Sequence, residues 1–204
     1  MKPVIGSRNR SRLIRLTRIV SGGQTGVDRA ALDAAIAAGI ETGGWCPRDR
    51  RSEDGSIPLR YPLRETASKS YAVRTEWNVR DSDATLILVL DRISSGTQLT
   101  IDSAKTQTRP LRIEYLCPPA AGTLIADDVS PEQQVADVIE WIVRERIKTL
   151  NVAGPRGSSH KDVYQKSVQF LTMLFETFAS KSGHRKSMRV KCAVDRESRG
   201  NHLE

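Results

Sequence analysis

Three glycine-rich, hydroxyl-bearing stretches hold the residues best suited to chemistry. The first, SGGQTG, places Gly22, Gly23 and Gly26 among Ser21, Gln24 and Thr25. Glycine lets a backbone take positive φ and come close to a ligand, and an alanine-rich helical pattern follows at once, aiming free N–H groups and a positive dipole end at the same spot. Hydroxyl and amide donors around such a turn suit a phosphate-like anion. The second stretch, Ser94, Ser95, Gly96 and Thr97, repeats the theme, and AGPRGSS at 153–159 is a third. Charge-assisted hydrogen bonds contribute roughly 1.5–3 kcal/mol each. Three or four could therefore support a micromolar complex, about 8 kcal/mol, after association costs. The first stretch lacks the Gly-Lys-Ser/Thr of a nucleotide-triphosphate loop, and its G-G-x-x-G spacing differs from the dinucleotide fingerprint. A bare glycine pair would equally serve as a tight strand-to-helix turn.

Other side chains compete for a role. Arg48, Arg50 and Arg51 could clamp an oxyanion, since the guanidinium fork matches it, or form a solvated run. Trp45 reads as a core or interface tryptophan, with stacking on a ligand ring as the alternative. Cys46 has no Cys or His partner at ligand spacing and reads as a small buried thiol. Glu53 and Asp54 are neighbours on a polar loop, expected to face water, and Arg74 with Glu76 suggests an ion pair. Asp28 suits the dipole at a helix start. His160 lacks the motif that would make it a catalytic base.

These residues need elements to position them. RLTRIV at 15–20 is a β-branched run ending at the first glycine turn, and 27–38 has helical apolar spacing closed by Gly39. TGGWC at 42–46 reads as a second strand, and 47–70, with three prolines, as a loop. Helix is expected over 71–83, 96–106, 131–147 and 161–179; strand is expected over 84–90, 111–116 and 149–154. ATLILVL at 84–90 is nearly all apolar, as in a central parallel strand buried on both faces. Ser130 before Pro131 marks a helix start. This alternation predicts an α/β fold, a doubly wound and mainly parallel sheet with helices on both faces and its ligand at the carboxyl ends of the strands. Phe170, Leu174 and Phe178 are candidate interface positions on the last helix.

The net charge of +8 suggests a nucleic-acid partner until it is located. Residues 1–18 supply +6 and residues 181–204 supply +4, leaving the body at −2. The expected organisation is thus a basic extension over 1–18, one ligand-binding domain over 19–180 and a basic tail over 181–204. A nucleic-acid groove in the body is not indicated. No run of 18 apolar residues is present for a membrane span. Three scattered cysteines give no disulfide framework, which fits a reducing, cytoplasmic setting.

Five blocks in order, SGGQTGVDRAALDAA, GGWCPRDRRSEDGSIPLRYPL, RTEWNVRDSDATLIL, SSGT and LNVAGPR, closely resemble the molybdenum carrier family, part of a Rossmann-like group that includes lysine-decarboxylase-like phosphoribohydrolases. The resemblance covers about residues 19–174. It implies a homotetramer that binds molybdenum cofactor, a phosphate-bearing molybdopterin, as cargo for a recipient molybdoenzyme, with molybdate as a further ligand. Gly22, Gly23, Gln24, Thr25 and Gly26 would line the site, Ser94–Thr97 would face it, and WCPRDRRSEDG would close over it as a lid. Two departures stand out: Ser95 replaces a usual glycine, and GPRGSSHKD lacks a glutamate that often follows the arginine. The phosphoribohydrolase motif P-G-G-x-G-T-x-x-E ends in a glutamate where SSGTQLT has Thr100, which argues against hydrolysis and for a binding protein. A phosphoribohydrolase-like enzyme or a nucleotide-sensing module is the alternative.

Overall fold

The computed structural model describes residues 16–116 and 129–181. Most of both basic segments therefore lies outside the described residues. The elements run β1 (Arg18–Val20), α1 (Val27–Ala37), β2 (Glu41–Gly43), β3 (Trp45–Cys46), β4 (Arg51–Ser52), β5 (Gly55–Ser56), β6 (Arg64–Glu65), α2 (Tyr71–Arg80), β7 (Ala84–Val89), α3 (Ser95–Thr106), β8 (Leu111–Tyr115), α4 (Pro131–Arg144), β9 (Thr149–Ala153) and α5 (Val163–Lys181). Five strands form a sheet in the order β2-β1-β9-β7-β8, with every pairing parallel.

Both faces of that sheet are covered, and β7 shows why its sequence is apolar throughout. All six of its residues are buried. Leu86 and Leu88 point into the larger core with Ile19, Leu150 and Val152 and the apolar faces of α1, α4 and α5. Ile87 and Val89, one residue out of phase, face the opposite core with Ile101 of α3. α2 packs beside α3. Small residues Ala31, Ala34 and Ala35 let α1 pack closely against α5. Phe170, Leu174 and Phe178 are buried in this same core, so they stabilise the monomer and are not an exposed interface.

Helix ends follow local chemistry. Ser94 and Ser130 cap α3 and α4 by accepting from the N–H groups of Thr97 and Gln133, and Pro131 opens α4. Gly39 takes φ +68° just past α1, where its N–H reaches the Ile36 carbonyl.

The stretch 42–46 is two strands, not one. Gly44 breaks it at φ +128°, where a β-carbon would lie 2.2 Å from the Ser21 carbonyl oxygen. Beyond it the polar segment 47–70 carries more order than a loop. β3 pairs in parallel with β6, β4 and β5 form a short antiparallel hairpin, and Cys46, Ile57, Tyr61 and Leu63 build a small core against Leu32 of α1. Arg50 ties this segment together from within, donating to the carbonyls of Ile57, Pro58, Tyr61 and Leu63.

Candidate functional site

The three turns singled out above follow β1, β7 and β9, the central strands of the sheet. Here the chain runs outward in both directions, from β1 to β2 and from β7 to β8, so the carboxyl edge of β1, β9 and β7 is the switch point where doubly wound sheets bind ligands. With β9 between them, β1 and β7 stand two strand spacings apart, about 10 Å.

The first turn is filled by the protein's own groups. A β-carbon on Gly22 would lie 1.6 Å from Arg74 Nη1, one on Gly23 would lie 2.5 Å from Leu63 Cδ1, and one on Gly26 would lie 2.5 Å from the Pro155 carbonyl oxygen. Gly23 and Gly26 both need positive φ, +75° and +78°. The glycines therefore let α2, the segment 47–70 and the turn after β9 pack onto the end of β1. The polar residues have packing roles as well. Ser21 is buried and donates to the Val152 carbonyl at 2.7 Å, joining β1 to β9. Gln24 Oε1 accepts from the N–H groups of Thr25 and Glu53, both at 3.0 Å.

Of the two carboxylates of the β4–β5 hairpin expected to face water, Glu53 is turned inward, while Asp54 stays half exposed and is tied to Arg29. Glu53 accepts from Thr25 Oγ1, from Ser158 N at 3.0 Å and from Ser158 Oγ at 2.5 Å, and it lies 3.4 Å from Arg156 Nε. Its side chain is only 17% exposed. Burial pushes its pKa up, but the hydrogen bonds of Ser158 and Thr25 with the Arg156 charge outweigh that and hold it below the usual carboxylate value. Asp54 accepts a two-pronged pair from Arg29 at 2.6 and 2.8 Å, and those bonds with one from Ser52 bring its pKa to about 2.

Beneath the turn lies a buried ion pair, Arg74 Nη1 to Asp28 Oδ2 at 3.0 Å, with side chains 13% and 4% exposed. Arg74 thus pairs with Asp28, while the expected partner Glu76 is exposed. Burial raises the Asp28 pKa, opposed by Arg74 and by the Gln24 N–H that also bonds it. Arg74 Nε is buried without a hydrogen-bond partner.

The second turn is open. Ser95 and Gly96 are exposed at the start of α3, and nothing lies within 4 Å of where a Gly96 β-carbon would be. Ser94 Oγ and Thr97 Oγ1 are 2.9 Å apart. Thr100 is buried, its hydroxyl donating back to the Gly96 carbonyl at 3.3 Å.

The remaining candidates divide clearly. Arg48 is exposed and Arg51 lies over the Tyr71 ring at 5.4 Å, while Arg50 is committed to the four carbonyls above and is no ligand clamp. Trp45 meets Trp77 edge to face at 4.8 Å and donates to Asp81 at 2.7 Å. Together with Arg18, Val20, Gly44 and Arg64, Trp45 and Asp81 line a cavity of about 50 Å³, a few water molecules' worth and far below the size of a cofactor pocket. No turn residue lines it. Cys46 is fully buried, and burial pushes its thiol pKa up. His160 accepts from the Asp162 N–H in its own turn. Among the described residues no cluster of three or more metal-ligating side chains occurs, and no helix is long and apolar enough to cross a membrane.

Sequence reasoning missed Glu53, Arg29, Asp54, Arg156 and Ser158 as partners. The signal in reach was AGPRGSS, which like SSGT sets a pair of serines beside a glycine at a strand end. Nothing local showed that residue 53 would meet residue 158.

Comparison with known proteins supports the fold and identifies the family. A crystal structure of a "Putative molybdenum carrier protein" from Syntrophus aciditrophicus SB is 38% identical, with a TM-score of 0.71 over 78% of this chain and 94% of that one. None of the curated proteins matches. The model of the circularly permutated YpsA SLOG family matches residues 19–175, from β1 into α5. The parallel five-stranded sheet, the turns at its switch point and this match together make the chain a member of the circularly permutated YpsA SLOG family.

Proposed function

We propose that the protein binds molybdenum cofactor at the carboxyl edge of β1, β9 and β7 and carries it, protected, to a molybdoenzyme, without transforming it. The observation that supports this reading best is the placing of two polar turns about 10 Å apart across the switch point. One is closed down by its own side chains and one is open. The anionic phosphate end belongs near Thr25 and the turn after β9, and the pterin and oxo-molybdenum end belongs at Ser94, Ser95, Gly96 and Thr97. Exposed Arg48 and Arg51 add positive charge on the segment beside the mouth. The donor set suits this cargo: hydroxyls, backbone N–H groups and guanidinium groups recognise phosphate and oxo groups. Cys46 is buried in the small core and so is not positioned as a thiolate ligand, leaving the metal to its own dithiolene. The name of the Syntrophus protein points to the same class of cargo. Thr100 offers no carboxylate for ribosyl hydrolysis, which favours a binding role over a phosphoribohydrolase. A homotetramer in the cytoplasm is the assembly and setting we assign to it.

The test is the mass of whatever travels with the protein when it is purified without oxygen, read with its molybdenum content. A pterin mass with stoichiometric molybdenum is expected. A nucleotide without metal would overturn the carrier reading in favour of a phosphoribohydrolase-like or nucleotide-sensing role.

A further inference from the structure

Glu53 is placed as a ligand would be. Its carboxylate fills a notch whose hydrogen-bond donors come from two separate turns, Thr25 Oγ1 after β1 and Ser158 N and Oγ after β9, with Arg156 Nε 3.4 Å away as an ion-pair partner. Three hydrogen-bond donors and one guanidinium charge converging on one acidic group suit a tetrahedral oxyanion. The donors and the acid differ in how firmly they are held. Thr25 and Gly157 are locked to each other, the Gly157 N–H donating to Thr25 Oγ1 at 3.0 Å, and both turns hang from buried central strands. Glu53 is carried by a hairpin of two two-residue strands in which Glu53, Asp54, Gly55 and Ser56 are all exposed at the residue level and add nothing to a core. Its backbone is at the surface and its side chain is folded in. Beyond the notch, the hairpin is held by polar side chains, the buried Gln24 accepting from the Glu53 N–H and Arg29 donating to Asp54 and Ser52.

We propose that the notch formed by Thr25, Arg156 and Ser158 is an oxyanion-binding site that the protein's own Glu53 carboxylate occupies until an incoming phosphate or similar tetrahedral oxyanion displaces it and releases the β4–β5 hairpin. The hairpin is then a lid that opens because the ligand's charged end takes its latch, and free oxyanions and phosphate esters compete with Glu53 for the same donors. This rests on reading the mouth as an anion site and is independent of the identity of the cargo.

The experiment titrates inorganic phosphate and, separately, molybdate into the full chain by calorimetry, comparing the unaltered protein with Glu53→Gln. An amide oxygen accepts more weakly than a carboxylate and carries no charge, so Glu53→Gln should bind at least one of the anions tenfold or more tighter. Tightening confined to phosphate assigns the notch to a phosphoryl group, and tightening with both assigns it to tetrahedral oxyanions at large. The double variant Glu53→Gln/Ser158→Ala should lose most of that gain, because the anion then lacks one of its donors; a gain that persists would be a general effect of charge and would overturn the site. A readout that needs no variant is hydrogen exchange of the unaltered protein. Saturating phosphate should speed exchange over residues 51–57 and slow it at 157–158. Equal affinities in the two proteins, or a hairpin whose exchange ignores phosphate, would overturn the proposal. If the anions behave as expected while no pterin or molybdenum travels with the protein, the latch stands and the carrier reading falls.

Discussion

The guanidinium of Arg74 lies 3.0 Å from the carboxylate of Asp28 and directly across the α-carbon of Gly22, where any β-carbon would meet it at 1.6 Å. One glycine therefore makes room for the guanidinium that pairs with a buried carboxylate at the head of α1. Arg74→Met strands Asp28 and is expected to cost about 3–5 kcal/mol. Gly22→Ala displaces the same guanidinium, so the two changes should combine to far less than their sum. A double-mutant cycle in urea unfolding checks this, and additive costs would show that Gly22 and Arg74 act separately.

Gly23 and Gly96 should respond in opposite ways to substitution. Gly23→Val meets two penalties, a left-handed backbone worth roughly 1–2 kcal/mol and overpacking against Leu63 and Ile57 worth roughly 1–3 kcal/mol. It should therefore lower the unfolding midpoint, which makes it a poor probe of ligand binding alone. Gly96→Val has open space, and any effect on stability should stay within about 0.5 kcal/mol. If the turn contacts the pterin end of the cargo, Gly96→Val lowers the molybdenum content of purified protein at least tenfold while phosphate affinity holds.

Acid should loosen the hairpin before the sheet. Glu53 and Asp54 both have folded pKa values below their ordinary 4.5 and 3.8, so their contribution is present above those values and fades as pH falls, for Asp54 through about 2. Hydrogen exchange over 51–57 should rise between pH 4.5 and 2 while β7 stays protected. Simultaneous loss of protection in both would show that the two carboxylates do not hold the hairpin separately.

Arg50→Lys keeps the charge and loses the fork. A lysine ammonium cannot serve the four carbonyls that Arg50 now serves, and a loss of about 2 kcal/mol is expected. Limited proteolysis should cut within residues 51–65 faster than in the unaltered protein, with the main sheet intact. An unchanged digestion pattern would remove Arg50 as the tie of this segment.

Periodicity and turn chemistry carry a long way in this chain. The unbroken apolar run of β7, the alanine stripe of α1, and Ser130–Pro131 before α4 each place an element from local residues alone, and their alternation specifies a parallel sheet with its polar turns at one edge. SSGT could be read as an open polar helix start because the capping serine and the bare glycine are neighbours in the chain. Local sequence cannot say which distant groups fill a space. The three glycines of the first turn look like an empty cradle until Arg74, Leu63 and Pro155 arrive from three other segments. Glu53 looks solvated until the small core around Ile57 and Leu63 folds its hairpin against α1, bringing residue 53 to residue 158 across 105 positions. Phe170, Leu174 and Phe178 look available for an interface until α5 packs on α1. Secondary structure follows from patterns within a few residues, whereas the site is made by contacts between turns on different strands, which only the order of strands in the sheet decides.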